Sequence, residues 1–558
     1  MPPLVQRRLR APADDGSALF DPPLSQAPAL IERNRAVASK LEKHGISARL
    51  RVTARIILLG CAEIRDGVQL EREELQRPII LAGHQPELYH PGVWLKNFAL
   101  SSLATSVGAT SLGLIIDNDT VRSTSIRVPS GGSPPVVEVP FDAPADAIPW
   151  EARWVSDPAK FAKFRLEVRG AFGSFLKSPA YKHGLLLDRV WPHALAAADE
   201  QREMAKRSLE KLRRGGPHPE LLAQAVNLGE CLATARHRVE RELGLVHREA
   251  ALGAVTGQPP FLEFAHRLLA RHREFHAVHN AALAEYRAVN HIRSQTHPVP
   301  DLAQDGDWHE MPLWIWTMDD PRRRRVFVRE AASSWELTDR QGLVIDGPAA
   351  GQDCDEVYSR LLREGIALRP RALITTMFAR LVLSDLFIHG IGGAKYDELT
   401  DLIVRRFFGV EPPAFITATA TFRLPIERLQ ISLDDVRRSA ARIRDLRWHP
   451  ETFARNPLVA GEPSLAEKLA ALAAEKREYL AQHDLRRCPP EVFARADALN
   501  RAMHALLGPV ERALRAEHAE LVEQFKRAQV LGSREFSFVL FPSEILSARL
   551  LDLCKVSS

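Results

Sequence analysis

Two stretches of the chain gather the residue types that do chemistry. The first is Leu81-Ala-Gly-His-Gln-Pro-Glu-Leu-Tyr-His-Pro-Gly-Val-Trp-Leu-Lys-Asn97, which holds His84, Gln85, His90, Lys96 and Asn97. The second is His389-Gly-Ile-Gly-Gly-Ala-Lys-Tyr-Asp-Glu398, in which Gly390, Gly392 and Gly393 precede Lys395, Tyr396 and Glu398. Imidazoles suit acid–base work, phosphate contact or metal ligation. His84 is therefore expected to act as an acid/base or oxyanion contact, and His90 as a substrate contact. Gln85 and Asn97 offer amides that orient a polar ligand. Lys96 would meet an anion together with a helix N-terminus, the plain alternative being a solvated helix face. The glycine run permits a backbone nest for an anion, or simply a strand-to-helix turn with φ > 0. It matches neither GxxxxGK[ST] nor GxGxxG, so no nucleotide cofactor can be named from it.

A third stretch, Leu112-Gly-Leu-Ile-Ile-Asp-Asn-Asp119, ends on two acids spaced to share one face of a persisting strand. Asp117 and Asp119 would bind an amine, hold a metal or supply a base with a raised pKa. The alternative is a polar turn with Asn118 left-handed. A zinc set of His84, His90 and Asp117 is one reading, but Pro86 and Pro91 prevent a helix from carrying both histidines. No metal is expected there. His272, His276 and His279 share a helix face, and the interleaved Arg and Glu suggest that it is solvated. Arg322 to Arg325 reads as a hairpin turn.

Positioning these residues requires an α/β fold. Arg77-Pro-Ile-Ile-Leu-Ala82 reads as a buried strand, Trp94 to Leu103 as a helix, and Leu112 to Asp119 as a strand buried on both faces of a parallel sheet. That is a βαβ unit, and such sheets place ligands outside the carboxyl ends of their strands. Leu386-Phe-Ile-His389, the glycine run and a helix from Asp397 to Phe408 repeat the pattern. Helices dominate from 150 to 300, among them Glu200 to Arg214, Pro219 to Leu243 and a long one from Pro260 to Arg293. Met311 to Trp316 and Arg325 to Glu330 form a hairpin that Trp335 to Ile345 extends. From Ile426 to about Val530 the text is charged and Ala/Leu-rich, a helical hairpin or short coiled coil. Ser533 to Pro542 is strand-like. The domains expected are an N-terminal arm with helices at 1–74, a core at 75–425 with a helical insertion near 150–300, the helical hairpin at 426–530, and a tail at 531–558 returning to the core.

Composition narrows the function classes. At 558 residues the chain suggests roughly two to four domains. Its 45% hydrophobic and 26% charged content is that of a globular protein, and a net charge of +5 lacks the clustered basic face that nucleic acid requires. No apolar run approaches the roughly 18 residues of a membrane span, and the N-terminus has no apolar signal-peptide core. The 5 cysteines are scattered without a CxxC pair, which fits a reducing interior. A cytoplasmic protein acting on a small molecule is expected.

With these stretches placed, the chain resembles the BshC family, the cysteine-adding enzymes of bacillithiol synthesis. Gly83-His-Gln-Pro-Glu-Leu-Tyr-His-Pro-Gly92 is similar to the family's GQQ-type turn between strand and helix. Leu368-Arg-Pro370 through Glu398 is similar to its arginine-led segment ending in a GGPGE-type turn, and Pro412 to Arg423 to the stretch that follows. The chain departs at His84-Gln85, at Ala394 in place of the turn's proline, and at Lys395-Tyr-Asp397 before Glu398. The resemblance spans about residues 75 to 540. It implies a Rossmann-like core with helical insertions, a C-terminal coiled coil that forms a homodimer, and a ligase-like C–N bond formation joining an amino acid such as cysteine to an amine-bearing acceptor. In that reading His84, Asp117, Asp119 and Glu398 are catalytic. Gln85, His90, Lys96, Asn97, Arg369, Gly390, Gly392, Gly393, Lys395 and Tyr396 bind substrate, with Arg369 and the glycines on the anion. A shorter stretch, His84-Gln-Pro86 with Pro91-Gly92 and the acid-ended strand, is similar to WbqC-like proteins. The competing expectations are a non-catalytic binding or assembly protein and a metal-dependent enzyme using His84, His90 and Asp117.

Overall fold

A computed structural model describes residues 9–144, 147–211, 225–331, 334–348, 353–483 and 489–556. The start of the expected arm, the end of the helix expected over Glu200–Arg214, the start of that expected from Pro219, and Cys488 lie outside these residues. The chain forms two compact units. One comprises 1–131, 137–425 and 534–558, the other 132–136 and 426–533.

The first unit is built on a six-stranded sheet of β1 (Ser17–Asp21), β2 (Ile79–His84), β3 (Thr110–Ile115), β4 (Arg248–Ala251), β10 (Leu386–His389) and β11 (Phe415–Thr421). Between β4 and β10 the chain builds an antiparallel sheet of β5 (Trp308–Thr317), β6 (Arg324–Glu330), β7 (Trp335–Thr338), β8 (Val344–Asp346) and β9 (Ile366–Pro370). This contains the hairpin and the extension expected from the sequence. In the main sheet the order is β1-β11-β10-β2-β3-β4, and only the edge strand β1 is antiparallel to its neighbour. Ile79-Ile-Leu-Ala82 is buried throughout, as an interior strand of a parallel sheet must be.

Chain order reverses at the centre of this sheet. The strands β2, β3 and β4 proceed to one side, and the chain then returns to place β10 and β11 on the other side of β2. The switch point therefore lies between β2 and β10, where doubly wound sheets open a crevice. Ile388 is level with Ala82. The next residues, His389-Gly390 and Gly83-His84, therefore lie side by side at the carboxyl ends of the two strands.

Helix α1 (Ala48–Asp66) is capped by Ser47, whose side chain accepts from the Leu50 amide. Helix α2 (Pro91–Val107) follows β2, with Pro91 in its first turn and Gly108 left-handed at φ 65 to end it. Nearly every residue of α2 up to Ala104 is buried, so its polar members must find partners inside the protein. The helix expected over Pro260–Arg293 is two, Pro259–Leu269 and α4 (His272–Val289). Helix α3 (Leu228–Glu242) precedes β4, and α5 (Ile391–Ile403) follows β10. The tail is not a strand. Residues Phe538–Leu540 form a short turn, and Phe538 packs 4.8 Å from the Trp94 ring and 5.6 Å from Tyr89.

The second unit holds more than a hairpin. Four helices, α6 (Leu433–Trp448), α7 (Pro463–Ala481), α8 (Pro490–Leu506) and α9 (Gly508–Leu531), enclose a core that includes Leu446, Leu469, Met503 and Val510. The apparent long second helix is interrupted at Leu507-Gly508, which lets α9 pack on α6 and α8 on α7.

Candidate functional site

His84 ends β2 and is buried. Its Nε2 lies 3.0 Å from Asn97 Oδ1, and Asn97 Nδ2 donates to Glu240 Oε1 at 2.6 Å. The second bond orients the amide, so Asn97 turns its acceptor to His84, and Nε2 must carry the proton. Nδ1 is then an acceptor, buried and without a hydrogen-bond partner among the described residues. Burial, with the charges of Arg236 and Lys96, lowers His84 to about 3, so it is neutral near pH 7. The Tyr89 ring lies 5.1 Å away.

Lys96 takes neither expected role. It is buried in α2 and donates to the Gly83 carbonyl at 2.6 Å, so it braces the end of β2. Burial and the nearby Arg236 lower its pKa to about 8. His90 caps α2: its Nδ1 accepts from the Gly92 amide at 3.1 Å, and Nε2 lies 3.5 Å from Glu535. Gln85 donates to Asp119 Oδ2 at 3.1 Å, and Arg323 holds Asp119 Oδ1 at 2.9 Å. These bonds tie the turn after β2 to the turn after β3.

Strand β3 stops at Ile115, so the two acids sit in a loop and take separate surroundings. Asp117 Oδ1 accepts from the Gly253 amide at 2.7 Å. A Cβ at Gly253 would stand 2.4 Å from Glu151 Oε2 and 3.1 Å from Asp117 Oδ2, so glycine makes room for two carboxyls. Burial, followed by the Glu151 charge, pushes Asp117 up to about 8. Asn118 is not left-handed; it donates to the Pro370 carbonyl at 2.7 Å. Arg369 is not a free anion site, because its Nε and Nη2 grip Glu151 at 3.0 Å each. It also lines a cavity of about 250 Å³ with Gly257, Phe261, Leu262 and Leu368.

The glycine run forms no nest. Gly390 is extended at φ -79 as the N-cap of α5, and Gly392 and Gly393 lie inside that helix, which starts before the expected Asp397. Their uses differ. Nothing lies within 4 Å of a Cβ built at Gly390 or Gly392, whereas one at Gly393 would stand 2.5 Å from His389 Nδ1. Gly393 thus lets His389 fold back to Asp397, whose Oδ2 is 2.6 Å from His389 Nε2 and accepts from Arg380 at 2.7 Å. Lys395 is exposed, Tyr396 half-buried, and Glu398 buried where its charge is felt by Tyr286 of α4. The histidines of α4 are not solvated. His272, His276 and His279 are buried, with His272 bonded to the Leu269 carbonyl and His276 to that of Leu302, each at 2.9 Å.

His84 Nε2, His90 Nδ1 and Asp117 Oδ1 thus each bond to a separate partner. Among the described residues, the histidines and carboxylates that converge are His237, Glu240, His247 and Glu249, with donor atoms all within 4.8 Å of one another. The sequence reading missed them. The available signal was His237-x-x-Glu240 on one helix turn and His247-x-Glu249 at the entry to a strand. Glu240 is the anchor. Its Oε1 accepts from Trp94 Nε1 and Asn97 Nδ2 at 2.6 Å each, and its Oε2 accepts from Arg236 at 2.7 Å. Arg236 also donates to Glu249 Oε1 at 2.6 Å. Burial would raise Glu240, but Arg236 and the two histidines outweigh it and hold the carboxyl well below its ordinary range.

Set against known proteins, the chain matches no family model and no curated protein.

Proposed function

We propose that the protein is a BshC-like, C–N bond-forming enzyme, which joins an amino acid to an amine-bearing small molecule in the crevice above β2 and β10. The observation that carries this reading is the register of those strands. Ile388 stands level with Ala82 at the switch point, so the His84 and Gly390 turns form facing walls. Open space over Gly390 and Gly392 leaves the N-terminus of α5 approachable by a carboxylate. Joining a carboxyl to an amine expels the elements of water, so a co-substrate that activates the carboxyl as a nucleoside triphosphate does is part of the reaction. The amine nitrogen attacks the activated carbon and the activating group leaves. The amine proton passes to solvent, while His84, neutral and enclosed, braces this wall through Asn97. Asp117 remains protonated up to about pH 8 and suits proton donation to the departing oxygen.

The test uses the full chain with cysteine, a glucosamine conjugate and ATP, followed by mass spectrometry for the condensed product. Product from the parent protein, and none from Gly390→Phe, supports the reading. No product, together with no calorimetric binding of either component, overturns it.

A further inference from the structure

The geometry points to a buried site for one divalent transition-metal ion, held by His237 and Glu240 of α3 and by His247 and Glu249 at β4. This site is independent of the reaction proposed above.

The donor atoms already have coordination-like spacing. His247 Nε2 is 3.1 Å from Glu240 Oε2 and 3.9 Å from Glu249 Oε1. His237 Nδ1 is 3.7 Å from Glu240 Oε2 and 4.0 Å from Glu249 Oε2. Bonds of about 2.0–2.1 Å to nitrogen and oxygen place tetrahedral ligands about 3.4 Å apart, so the donors, now within 4.8 Å of one another, would draw together on binding. A pair of imidazoles with a pair of carboxylates suits zinc and its first-row neighbours.

The unpaired atoms are the independent observation. His247 Nε2, His237 Nδ1 and Glu249 Oε2 are buried, face one another at these distances, and make no hydrogen bond among the described residues. If protons alone joined them, the imidazole N–H groups would be directed at carboxylate oxygens. At 3.1 Å, His247 Nε2 and Glu240 Oε2 are close enough for a hydrogen bond but are not aligned for one.

Charge supports a cation. Glu240 and Glu249 are buried here, with Asp66 half-buried beside them, against Arg236 and Arg65, and Arg65 also pairs with Glu230. The outer contacts are those of a metal centre. Asp66 Oδ1 lies 3.5 Å from His237 Nε2, the ring atom that faces away from the proposed ion. Trp94, Asn97 and Arg236 orient the two glutamates. Gly113 admits the cluster, since a Cβ there would stand 3.1 Å from Glu249 Oε1. All four ligand residues are enclosed, which is the mark of a structural rather than an open catalytic site. The ion would fasten α3 to β4 and hold Glu240, which orients Asn97.

The test is the metal content of the full chain, purified with Zn2+ supplied and passed through a desalting column. About one equivalent per chain is expected, with X-ray absorption showing imidazole and oxygen ligands without sulfur. His237→Ala is expected to lower Zn2+ affinity at least tenfold. If Arg236 alone serves the carboxylates, the parent protein retains well under one equivalent, and the proposal fails. Sulfur ligation, or stoichiometric zinc of unchanged affinity in a folded His237→Ala protein, also overturns it.

Discussion

Asn97 decides which nitrogen of His84 is free. Its amide donates to Glu240 Oε1 at 2.6 Å and so presents its oxygen, 3.0 Å away, to His84 Nε2. A residue in the interior of a buried helix thereby sets the tautomer of a histidine at the end of a strand. Asn97→Ala removes a partner from both neighbours. The loss of buried hydrogen bonds should cost about 2–4 kcal/mol. In a double-mutant cycle with His84→Ala, the two losses should couple by about 0.5–3 kcal/mol. Denaturant unfolding of the four proteins measures this, and strictly additive losses would exclude the relay.

The glycines around the crevice should respond in opposite senses. A Cβ at Gly92 would stand 2.3 Å from the Ala420 carbonyl oxygen, a backbone atom that cannot rotate away. One at Gly393 would displace His389 from Asp397. Gly92→Ala and Gly393→Ala are each expected to destabilise by about 1–3 kcal/mol. Gly392→Ala meets nothing within 4 Å and lies inside α5. It should stabilise by about 0.5–1 kcal/mol through helix entropy. Thermal unfolding of the three variants checks the order, and an equal response from all three would refute it.

These contrasts show what the sequence revealed and what it concealed. The runs Ile79–Ala82 and Leu112–Ile115 announced buried parallel strands because burial on both faces leaves a continuous apolar string, which is a local property. The glycine run was legible as the start of something but not as a helix N-terminus. Gly392 and Gly393 are poor helix formers, and the contacts of β10 and α4 with α5 override that preference. The roles of Lys96 and Asn97 depended on α2 being enclosed on all sides, which no pattern in α2 alone reveals. The His237–Glu249 cluster was hidden for a related reason. Its two halves belong to a helix and a strand, and only their packing over Gly113 brings them together.

Asp117 supplies a pH dependence whose sign can be worked out. Its carboxyl rises from an ordinary 3.8 to about 8 on folding, through burial and then the Glu151 charge. The folded state therefore holds a proton that the unfolded chain releases above about pH 4. The group's contribution to stability is fully present below that value. It declines by up to about 1.4 kcal/mol per pH unit as pH rises toward 8, and levels off above. Asp117→Asn keeps an oxygen for the Gly253 amide and carries no ionisable proton. The stability of this variant relative to the parent should rise steadily between pH 5 and 8, roughly within that slope. Under the proposed reaction, the parent's rate should also fall as pH passes about 8, because a charged Asp117 can no longer donate. Unfolding titrations of parent and variant at several pH values test the linkage. A stability difference that does not change with pH would mean that Asp117 ionises near its ordinary value and donates no proton at neutrality.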